Sequence, residues 1–438
     1  MKFNKWTVAL AALGVVSLAS AAKAEEKASP VMTALSSTTI SGYVDTSAQW
    51  NFGTGNANLP PYRFNNAAKA DGFNLDVIQL RIDKPLDESD WAAGYRMDLW
   101  FGPDADALGT QTWGVNASDF AIRQAYVAMR APIGSGLDFK MGVFDSIIGY
   151  ESIESGNDPN YTRSYGNTIE PTTHTGLLAS YRFCDEFSAS AGIANTTYAS
   201  INSRAQFGSA GATAGGMANY WDNYYTGVGV TAADMSGADP KAESFKTYMG
   251  SMALTAPDSM GFLAGSTLYA GVVSGYNNSV WGSGLGANQT SWYLGATVAT
   301  PVTGLRLGAA FDYLTVRDTS ANFNAGANTA SIDNSYAWAI AGYVSFQVTE
   351  KLSLHERLEY TEEKYGLTVD STPTANPKPK ILESTTTVQY DLWKNVISRL
   401  EFRWDHSASG ADMFGGEVAG QPDLKNAWLL AANVIYKF

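Results

Sequence analysis

Residues Lys425 to Phe438 read KNAWLLAANVIYKF and alternate in character at every second position. Successive side chains of an extended strand point to opposite faces. One face of such a strand would carry Trp428, Leu430, Ala432, Val434, Tyr436 and Phe438. This apolar face has aromatic residues near both ends, whereas the other face includes Asn433 and Lys437. The pattern is typical of a membrane strand whose outer face contacts lipid between two aromatic girdles.

The same alternation recurs from Thr38 onward, in segments whose connections are long and short in turn. An even number of strands with short periplasmic turns and long external loops is the arrangement of outer-membrane barrels. The sequence therefore predicts an all-β fold, a transmembrane antiparallel up-and-down β-barrel of about 16 strands. The alternation is blurred in two segments, 73–84 and 120–131. The predicted strands cover residues 38–50, 73–84, 91–102, 120–131, 136–144, 174–184, 187–197, 244–256, 264–276, 290–300, 304–317, 334–348, 351–366, 381–392, 395–407 and 425–438.

The composition separates a membrane barrel from a water-soluble β-sandwich. Charged residues make up 16% of the chain, against ~25% in typical soluble domains. A soluble sandwich also alternates, but its apolar faces must pack in one core. Roughly 16 apolar faces are hard to bury in that way, whereas a closed barrel presents them to lipid and leaves no unpaired sheet edge.

The first 24 residues have the anatomy of a secretory signal. Lys2 and Lys5 precede an apolar run over 6–18, and Ala22-Lys23-Ala24 fits a cleavage site. A membrane anchor is the alternative, but the run is shorter than the ~20 residues that a spanning helix needs. We expect a cleaved signal peptide over 1–24, a short extension over 25–37 and one barrel domain over 38–438.

Charge and motifs exclude several classes of function. Without residues 1–24 the chain keeps 26 basic and 42 acidic side chains, a net charge of −16. Nucleic-acid binding is not expected, because it requires a basic face. The histidines, His174, His355 and His406, lie beside no G-x-S-x-G or H-E-x-x-H motif. We therefore expect no enzyme, no metal site and no cofactor.

Charged residues on the faces opposite the apolar ones would line the barrel interior. About 16 strands enclose a space too wide for their own side chains to fill, and an aqueous channel is the usual result. Rings of charge select ions in pores, although each residue taken alone could be a solvated wall residue without an individual role. The inward-facing candidates are Arg96, Lys140, Arg182, Arg306, Arg357, Arg399 and Arg403.

The connection over residues 145–173, DSIIGYESIESGNDPNYTRSYGNTIEPTT, is unusually apolar for an exposed loop. Folded into the interior, it could pack its isoleucines and tyrosines and narrow the channel. Its charged residues could then face the wall arginines and set a transverse field. The alternative is an external loop that packs on its neighbours. The candidate constriction residues are Asp145, Glu151, Glu154, Asp158, Arg163 and Glu170.

Three stretches of this region, FDSIIGYE at 144–151, YTRSYG at 161–166 and EPTTHTG at 170–176, resemble outer-membrane β-barrel porins of the OmpL-like type. The resemblance extends over most of the chain after residue 24, and this central block is its distinctive part. It implies a porin-like channel for small solutes and no particular substrate. The strand that ends at Phe438 resembles the signal that the outer-membrane barrel assembly machinery reads.

The sequence thus predicts a bacterial outer-membrane porin that passes small hydrophilic solutes or ions by passive diffusion. The expected partners are outer-membrane lipids, the assembly machinery and small solutes. The sequence does not decide whether a barrel of this size forms a homo-oligomer. The alternative is a surface-binding or structural barrel anchored in the outer membrane. Recognition would then lie in the long loops, above all in residues 198–243.

Overall fold

The computed structural model describes residues 37–53, 55–110, 118–204, 245–276, 287–318, 335–364 and 378–438. These residues form sixteen strands that pair in chain order into one closed antiparallel barrel, so the predicted fold class is confirmed. The strands are β1 (Thr39–Phe52), β2 (Gly72–Lys84), β3 (Ala93–Phe101), β4 (Phe120–Ala131), β5 (Leu137–Asp145), β6 (Thr173–Arg182), β7 (Phe187–Ala194), β8 (Thr247–Thr255), β9 (Thr267–Tyr276), β10 (Ala287–Ala299), β11 (Leu305–Asp318), β12 (Ser335–Gln347), β13 (Leu352–Lys364), β14 (Lys380–Trp393), β15 (Val396–Ser407) and β16 (Asn426–Lys437).

The barrel closes where β16 pairs with β1. Tyr43 lies opposite Lys437 in this ladder. Beyond it, the backbone N–H of Phe438 donates to the carbonyl of Gly42, and the N–H of Gly42 donates to the carbonyl of Phe438, both at 3.0 Å. Every strand therefore has two partners, which leaves no unpaired backbone edge.

Apolar side chains cover the outside of the barrel and charged side chains lie inside. Trp292, Ile340 and Leu400 are each 52% exposed. Arg357 and Arg403, on the opposite faces of their strands, are completely buried. This distribution is the reverse of a water-soluble protein and is that of a barrel whose outer face contacts lipid.

The two segments with blurred alternation contain extra residues in their ladders. The β1–β2 ladder skips Asp76, and the β3–β4 ladder skips Arg123. A bulge opposes two residues to one and brings neighbouring side chains to the same face. Asp76 and Val77 are accordingly both buried, as are Arg123 and Gln124. The bulges therefore explain why inward-facing and outward-facing residues do not alternate regularly in these strands.

Short helical turns occur in the connections. The α-helices are α1 (Pro103–Leu108) and α2 (Tyr165–Ile169), and 3₁₀ turns cover Ala67–Lys69, Ser155–Asn157 and Asp258–Leu263. The last of these turns delays the start of β9 to Thr267, three residues after the predicted start. Within the described ranges, no helix is both long and apolar enough to cross a membrane.

Two predictions fall on parts of the chain that are not described. The expected signal peptide over 1–24 and all but the last residue of the extension over 25–37 lie outside the described residues. The same holds for most of the loop over 198–243, of which the structure describes residues 198–204.

Candidate functional site inside the barrel

The connection between β5 and β6, residues 146–172, lies inside the barrel and is named the inner loop. The N–H of Ser146 donates to the carbonyl of Thr172 at 2.9 Å, so the loop leaves and re-enters the wall at one point. From there its Glu154 contacts Arg123 on β4, while its Thr162 carbonyl accepts from Arg357 on β13. Since β4 and β13 lie on opposite sides of the closed barrel, the loop crosses the interior.

The middle of the inner loop, residues 151–166, is named the polar arm. The carboxylate of Glu401 on β15 accepts from the backbone N–H groups of Tyr161 at 2.5 Å and Thr162 at 2.9 Å. Glu359 on β13 accepts two further backbone N–H groups at the start of α2, both at 2.7 Å. These amides have no ladder partner, so the wall carboxylates satisfy them with charge-assisted hydrogen bonds.

Arginines of β15 bind the carbonyl groups of the same arm. The Arg399 guanidinium donates to the carbonyls of Ser155 and Asp158, both at 2.7 Å. Arg403 donates to the carbonyl of Arg163, also at 2.7 Å. Backbone atoms, rather than side chains alone, therefore fix the position of the polar arm on the wall.

Two carboxylates of the polar arm form buried ion pairs. Glu151 lies 2.9 Å from Arg357, which also pairs with Glu383 at 3.1 Å. Asp158 lies 3.0 Å from Arg163 within the loop itself. The acids thus touch their arginines instead of facing them across open water. This differs from the arrangement needed for a transverse field, because charges in contact largely compensate each other.

Glu154 is held by arginines of three neighbouring strands. It lies 2.8 Å from Arg123 and 3.3 Å from Arg96, and it also pairs with Arg81. Asp98, which is fully buried, shares these arginines. Burial by itself would raise the pKa of Glu154, but Arg123, Arg81 and Arg96 outweigh burial and lower the pKa to about 2. Glu154 is therefore charged at every physiological pH.

Glu170, at the end of the inner loop, has the opposite electrostatic environment. Its carboxyl lies beside Asp312 of β11, while Arg63 donates only to its backbone carbonyl, at 2.7 Å. Burial, and then repulsion by Asp312, raise the pKa of Glu170 well above its ordinary value. This environment therefore favours the protonated form of the carboxyl.

Residues 147–150, at the start of the inner loop, are named the apolar arm. Ile148 is buried in a cluster with side chains of β5 to β12, and Ile147 and Tyr150 pack against this cluster. The rings of Tyr150 and Tyr343 stack with centroids 4.1 Å apart. The wall members of the cluster are Phe144, Leu178, Ala194, Met249, Val273, Tyr293, Ala310, Ala341 and Tyr343.

The connection between β1 and β2 covers the polar arm from the long-loop side. The ring of Tyr62 lies 3.7 Å from the Arg403 guanidinium carbon. Lys69 is bound between Asp104 of α1 at 2.5 Å and Asp76 of β2 at 2.7 Å. Several long connections therefore fold toward the interior together.

The structure brings most of the predicted site residues together and leaves some apart. Lys140 lies 5.0 Å above the ring of Tyr126. Arg182 pairs with Asp185 at a short turn, and Arg306 is exposed. Among the described residues, none of these three forms an ion pair with a carboxylate of the inner loop. The residues that meet at or within the inner loop are Asp145, Glu151, Glu154, Asp158, Arg163, Glu170, Arg96, Arg357, Arg399 and Arg403.

Two arginines that bind Glu154, Arg81 and Arg123, were not among the predicted site residues. Both lie in the strands where a bulge breaks the alternation, so the period of two could not assign their direction. The charge of these residues was the only available signal. Over the ranges that the structure describes, no cluster of His, Cys, Asp or Glu is placed to hold a metal ion.

Comparison with known proteins identifies the family. A family model described as putative beta-barrel porin-2, OmpL-like, matches residues 37–438. The chain belongs to this porin family. With its closed 16-strand barrel, the porin is an integral protein of the outer membrane and has an outer-membrane channel function. No curated protein matches the sequence.

Solved outer-membrane proteins share the fold of this porin. An anion-selective porin from Comamonas acidovorans is 12% identical with a TM-score of 0.53, covering 92% of this chain and 99% of that one. OmpF of Salmonella typhi in complex with daunomycin is 12% identical with a TM-score of 0.54, covering 92% and 97%. The in-vitro folded OmpT of Vibrio cholerae in its trimer form is 10% identical with a TM-score of 0.52, covering 92% and 99%.

Proposed function

We propose that this porin passes small hydrophilic solutes by passive diffusion and that the inner loop forms its constriction. The observation that carries the proposal is the attachment of the inner loop across the barrel interior, from Arg123 on β4 to Arg357 on β13. A barrel of sixteen strands leaves an aqueous lumen unless something fills it. The loop is then the part that decides which solutes pass. No covalent step and no cofactor enter this function, so the protein acts as a channel and not as an enzyme.

The ion pairs of the inner loop favour weak ion selectivity. Glu151 and Asp158 each contact an arginine, and Glu154 contacts three. Compensated charges leave only a small net field in the constriction. We therefore expect size and hydrogen bonding to discriminate among solutes more than charge does, and the candidate residues to act by shaping the loop.

Single-channel recording in a planar bilayer tests the proposal. The purified protein is expected to give discrete, stable current steps, and a reversal potential near zero in a salt gradient would indicate weak ion selectivity. A folded, heat-modifiable barrel that neither conducts nor swells liposomes would contradict the porin function. That outcome would favour the alternative of an anchored surface-binding barrel.

The strand that closes the barrel is also the proposed contact with the assembly machinery. Phe438 continues the β16 ladder through its two backbone hydrogen bonds to Gly42, and its side chain is 47% exposed. A partner that adds to this strand could read the backbone and the aromatic side chain together. Deletion of Phe438 should reduce the amount of heat-modifiable protein in the outer membrane, whereas Phe438→Tyr should leave this amount nearly unchanged.

A polar patch on the outer face favours a homo-oligomer. Glu356 of β13 lies between the outward-facing Leu354 and Leu358, and it accepts hydrogen bonds from Ser384, at 2.9 Å, and Thr386 of β14. A carboxyl is unfavourable in the lipid-facing band, and the trimer form of the Vibrio cholerae neighbour makes a second copy the proposed cover. Glu356→Leu should then weaken the oligomer in sedimentation, and an unchanged assembly state would count against this surface.

A further inference from the structure

The inner loop contacts or clusters with inward-facing side chains around the whole barrel wall. Each of the sixteen strands has at least one inward-facing residue that is almost fully buried. Movement of either arm away from the wall would therefore widen the path that is open to a solute. The buried residues, one for each strand from β1 to β16, are Asp45, Gln79, Asp98, Arg123, Phe144, Leu178, Ala194, Met249, Val273, Tyr293, Ala310, Ala341, Arg357, Glu383, Arg403 and Asn433.

The two arms of the inner loop are attached by different forces. The polar arm is held by buried ion pairs and by charged side chains bonded to its backbone, such as Glu401 and Arg399. Breaking those contacts would leave charges without partners, which is costly. The apolar arm is held by packing, through Ile148 and the stack of Tyr150 on Tyr343. The apolar arm can thus leave the wall without leaving a buried charge unpaired.

Glycines on the wall form notches that receive the apolar arm. A Cβ on Gly271 of β9 would lie 2.6 Å from the Cγ2 of Ile148. A Cβ on Gly308 of β11 would lie 2.5 Å from the Cζ of Tyr150 and closer still to its hydroxyl. Neither glycine has a positive φ, so the strand backbone itself does not require glycine there. A glycine inside a strand often marks a close approach of another part of the molecule, and here that part is the apolar arm.

The bend of the apolar arm depends on a third glycine. Gly149, between Ile148 and Tyr150, has a φ of +122°. A Cβ at this position would lie 3.0 Å from the carboxyl carbon of Glu170. Only glycine adopts such a conformation without strain. The bend at Gly149 therefore places the side chains of Ile148 and Tyr150 in the notches.

The wall behind the apolar arm carries no charge. Across the residues that the structure describes, the inward faces of β7 to β10 present small, hydroxyl-bearing and apolar side chains, including Met249 and Val273, and these strands contain no charged residue. The hydroxyls of Thr247, Ser251 and Ser291 are buried there without a hydrogen-bond partner. A buried hydroxyl without a partner is unfavourable, so these groups would gain from a solute that offers a donor or an acceptor.

We propose that the apolar arm is a hydrophobic gate, closed while Ile148 and Tyr150 occupy the notches at Gly271 and Gly308. Its withdrawal exposes the uncharged, hydroxyl-bearing wall of β7 to β10, while the polar arm stays attached. The path so opened fits neutral solutes that combine hydroxyl groups with an apolar face, and it disfavours free ions, because an apolar constriction sheds water. This inference rests on the proposed function and identifies its solute class.

Alanine in a notch tests the gate. Gly308→Ala should push Tyr150 off the wall and raise both the single-channel current in potassium chloride and the rate of liposome swelling with a neutral pentose. Gly342→Ala is the matched control, since Gly342 on β12 is exposed and a Cβ there would meet nothing within 4 Å. If Gly308→Ala does not fold, Tyr150→Ala removes the same contact from the loop side.

A reversible cross-link tests the closed position. In a Cys184→Ser background, Ile148→Cys with Gly271→Cys should form a disulfide that abolishes both current and swelling, and reduction should restore them. A conducting wild-type protein whose current is unaffected by the notch variants and by the cross-link would overturn the gate and leave the porin function standing. Folded wild-type and variant proteins that all fail to conduct and to swell would overturn the porin function itself.

Discussion

Glu154 and Glu170 lie sixteen positions apart in the inner loop, and the charges that surround them differ in sign. Glu154 is surrounded by Arg81, Arg96 and Arg123, whereas Glu170 lies beside Asp312. The charged form is favoured for Glu154 and the protonated form for Glu170. Position in the loop thus decides the electrostatic role of each acid more than residue type does.

Replacing Glu154 by glutamine is expected to lower the free energy of unfolding, whereas replacing Glu170 by glutamine is expected to change it little. Glu154→Gln removes a carboxylate from the buried Arg123 and from the partly buried Arg81 and Arg96. A hydrogen bond to a charged group contributes about 1.5–3 kcal/mol. Glu170→Gln replaces a carboxyl whose environment disfavours its charge, so the change should stay within about 0.5 kcal/mol. Urea unfolding in lipid vesicles at neutral pH measures both free energies. Equal losses in the two variants would contradict this assignment.

The stabilisation by Glu154 should depend on pH in one direction. Its pKa is about 2 in the folded protein, against an ordinary value of 4.5. A group with a lowered folded pKa stabilises fully above its unfolded pKa, and the contribution is lost as the pH falls through the folded pKa. The difference in unfolding free energy between wild type and Glu154→Gln should therefore be constant above about pH 5 and shrink toward pH 2. A difference that grows on acidification would contradict the sign.

At the scale of elements, Arg357 joins two neighbouring strands to the inner loop. From β13 it pairs with Glu383 of β14 and with Glu151 of the loop, and it donates to the carbonyl of Thr162. Arg357→Met would leave Glu151 without its cation and Glu383 with only Arg403, 4.0 Å away. Removing one partner of a buried ion pair typically costs about 3–5 kcal/mol. The expected result is a matching loss in urea unfolding and earlier proteolysis of the inner loop.

Arg182→Met is the control for this prediction. Arg182 pairs with Asp185, whose side chain is 57% exposed, at a short turn away from the inner loop. Exposed ion pairs contribute about 0–1 kcal/mol. If both variants lost the same stability, the buried network around Arg357 would not be what holds the loop.

The strands were predictable because each carries one lipid-facing side. The predicted ends differ from the observed ones by no more than three residues. The bulges at Asp76 and Arg123 were not predictable, since an extra residue changes the facing of a strand without leaving a distinct sequence signal. The alternation of apolar and polar residues therefore predicts the strands of the barrel, whereas a bulge only makes the alternation less regular.

The contacts of the inner loop were predictable only in outline. The apolar content of residues 145–173 indicated a segment with something to pack against. The partners of its backbone, such as Glu359 and Glu401, could not be inferred, because the amides they bind carry no side-chain signature. The notch glycines Gly271 and Gly308 are far from the loop in sequence, so only the closed barrel brings them to it.

At the scale of the whole molecule, the barrel has two different ends. The short turns, including the one with the exposed Cys184 between β6 and β7, lie at one end. The long connections lie at the other, including that between β15 and β16, where Val418 is 53% exposed. Outer-membrane barrels place short turns in the periplasm and long loops outside. This porin should therefore present Val418 to the medium and Cys184 to the periplasm.

Cysteine labelling in cells measures this orientation. A maleimide attached to a polymer too large for the barrel should label Val418→Cys, in a Cys184→Ser background, on intact cells. The wild-type protein, labelled only through Cys184, should react after the outer membrane is permeabilised and not before. Labelling of Cys184 on intact cells would mean an inverted barrel. The inner loop would then be attached near the wrong entrance, since β5 ends and β6 begins at the long-loop end, and solutes from the medium would meet the short-turn side of the inner loop first.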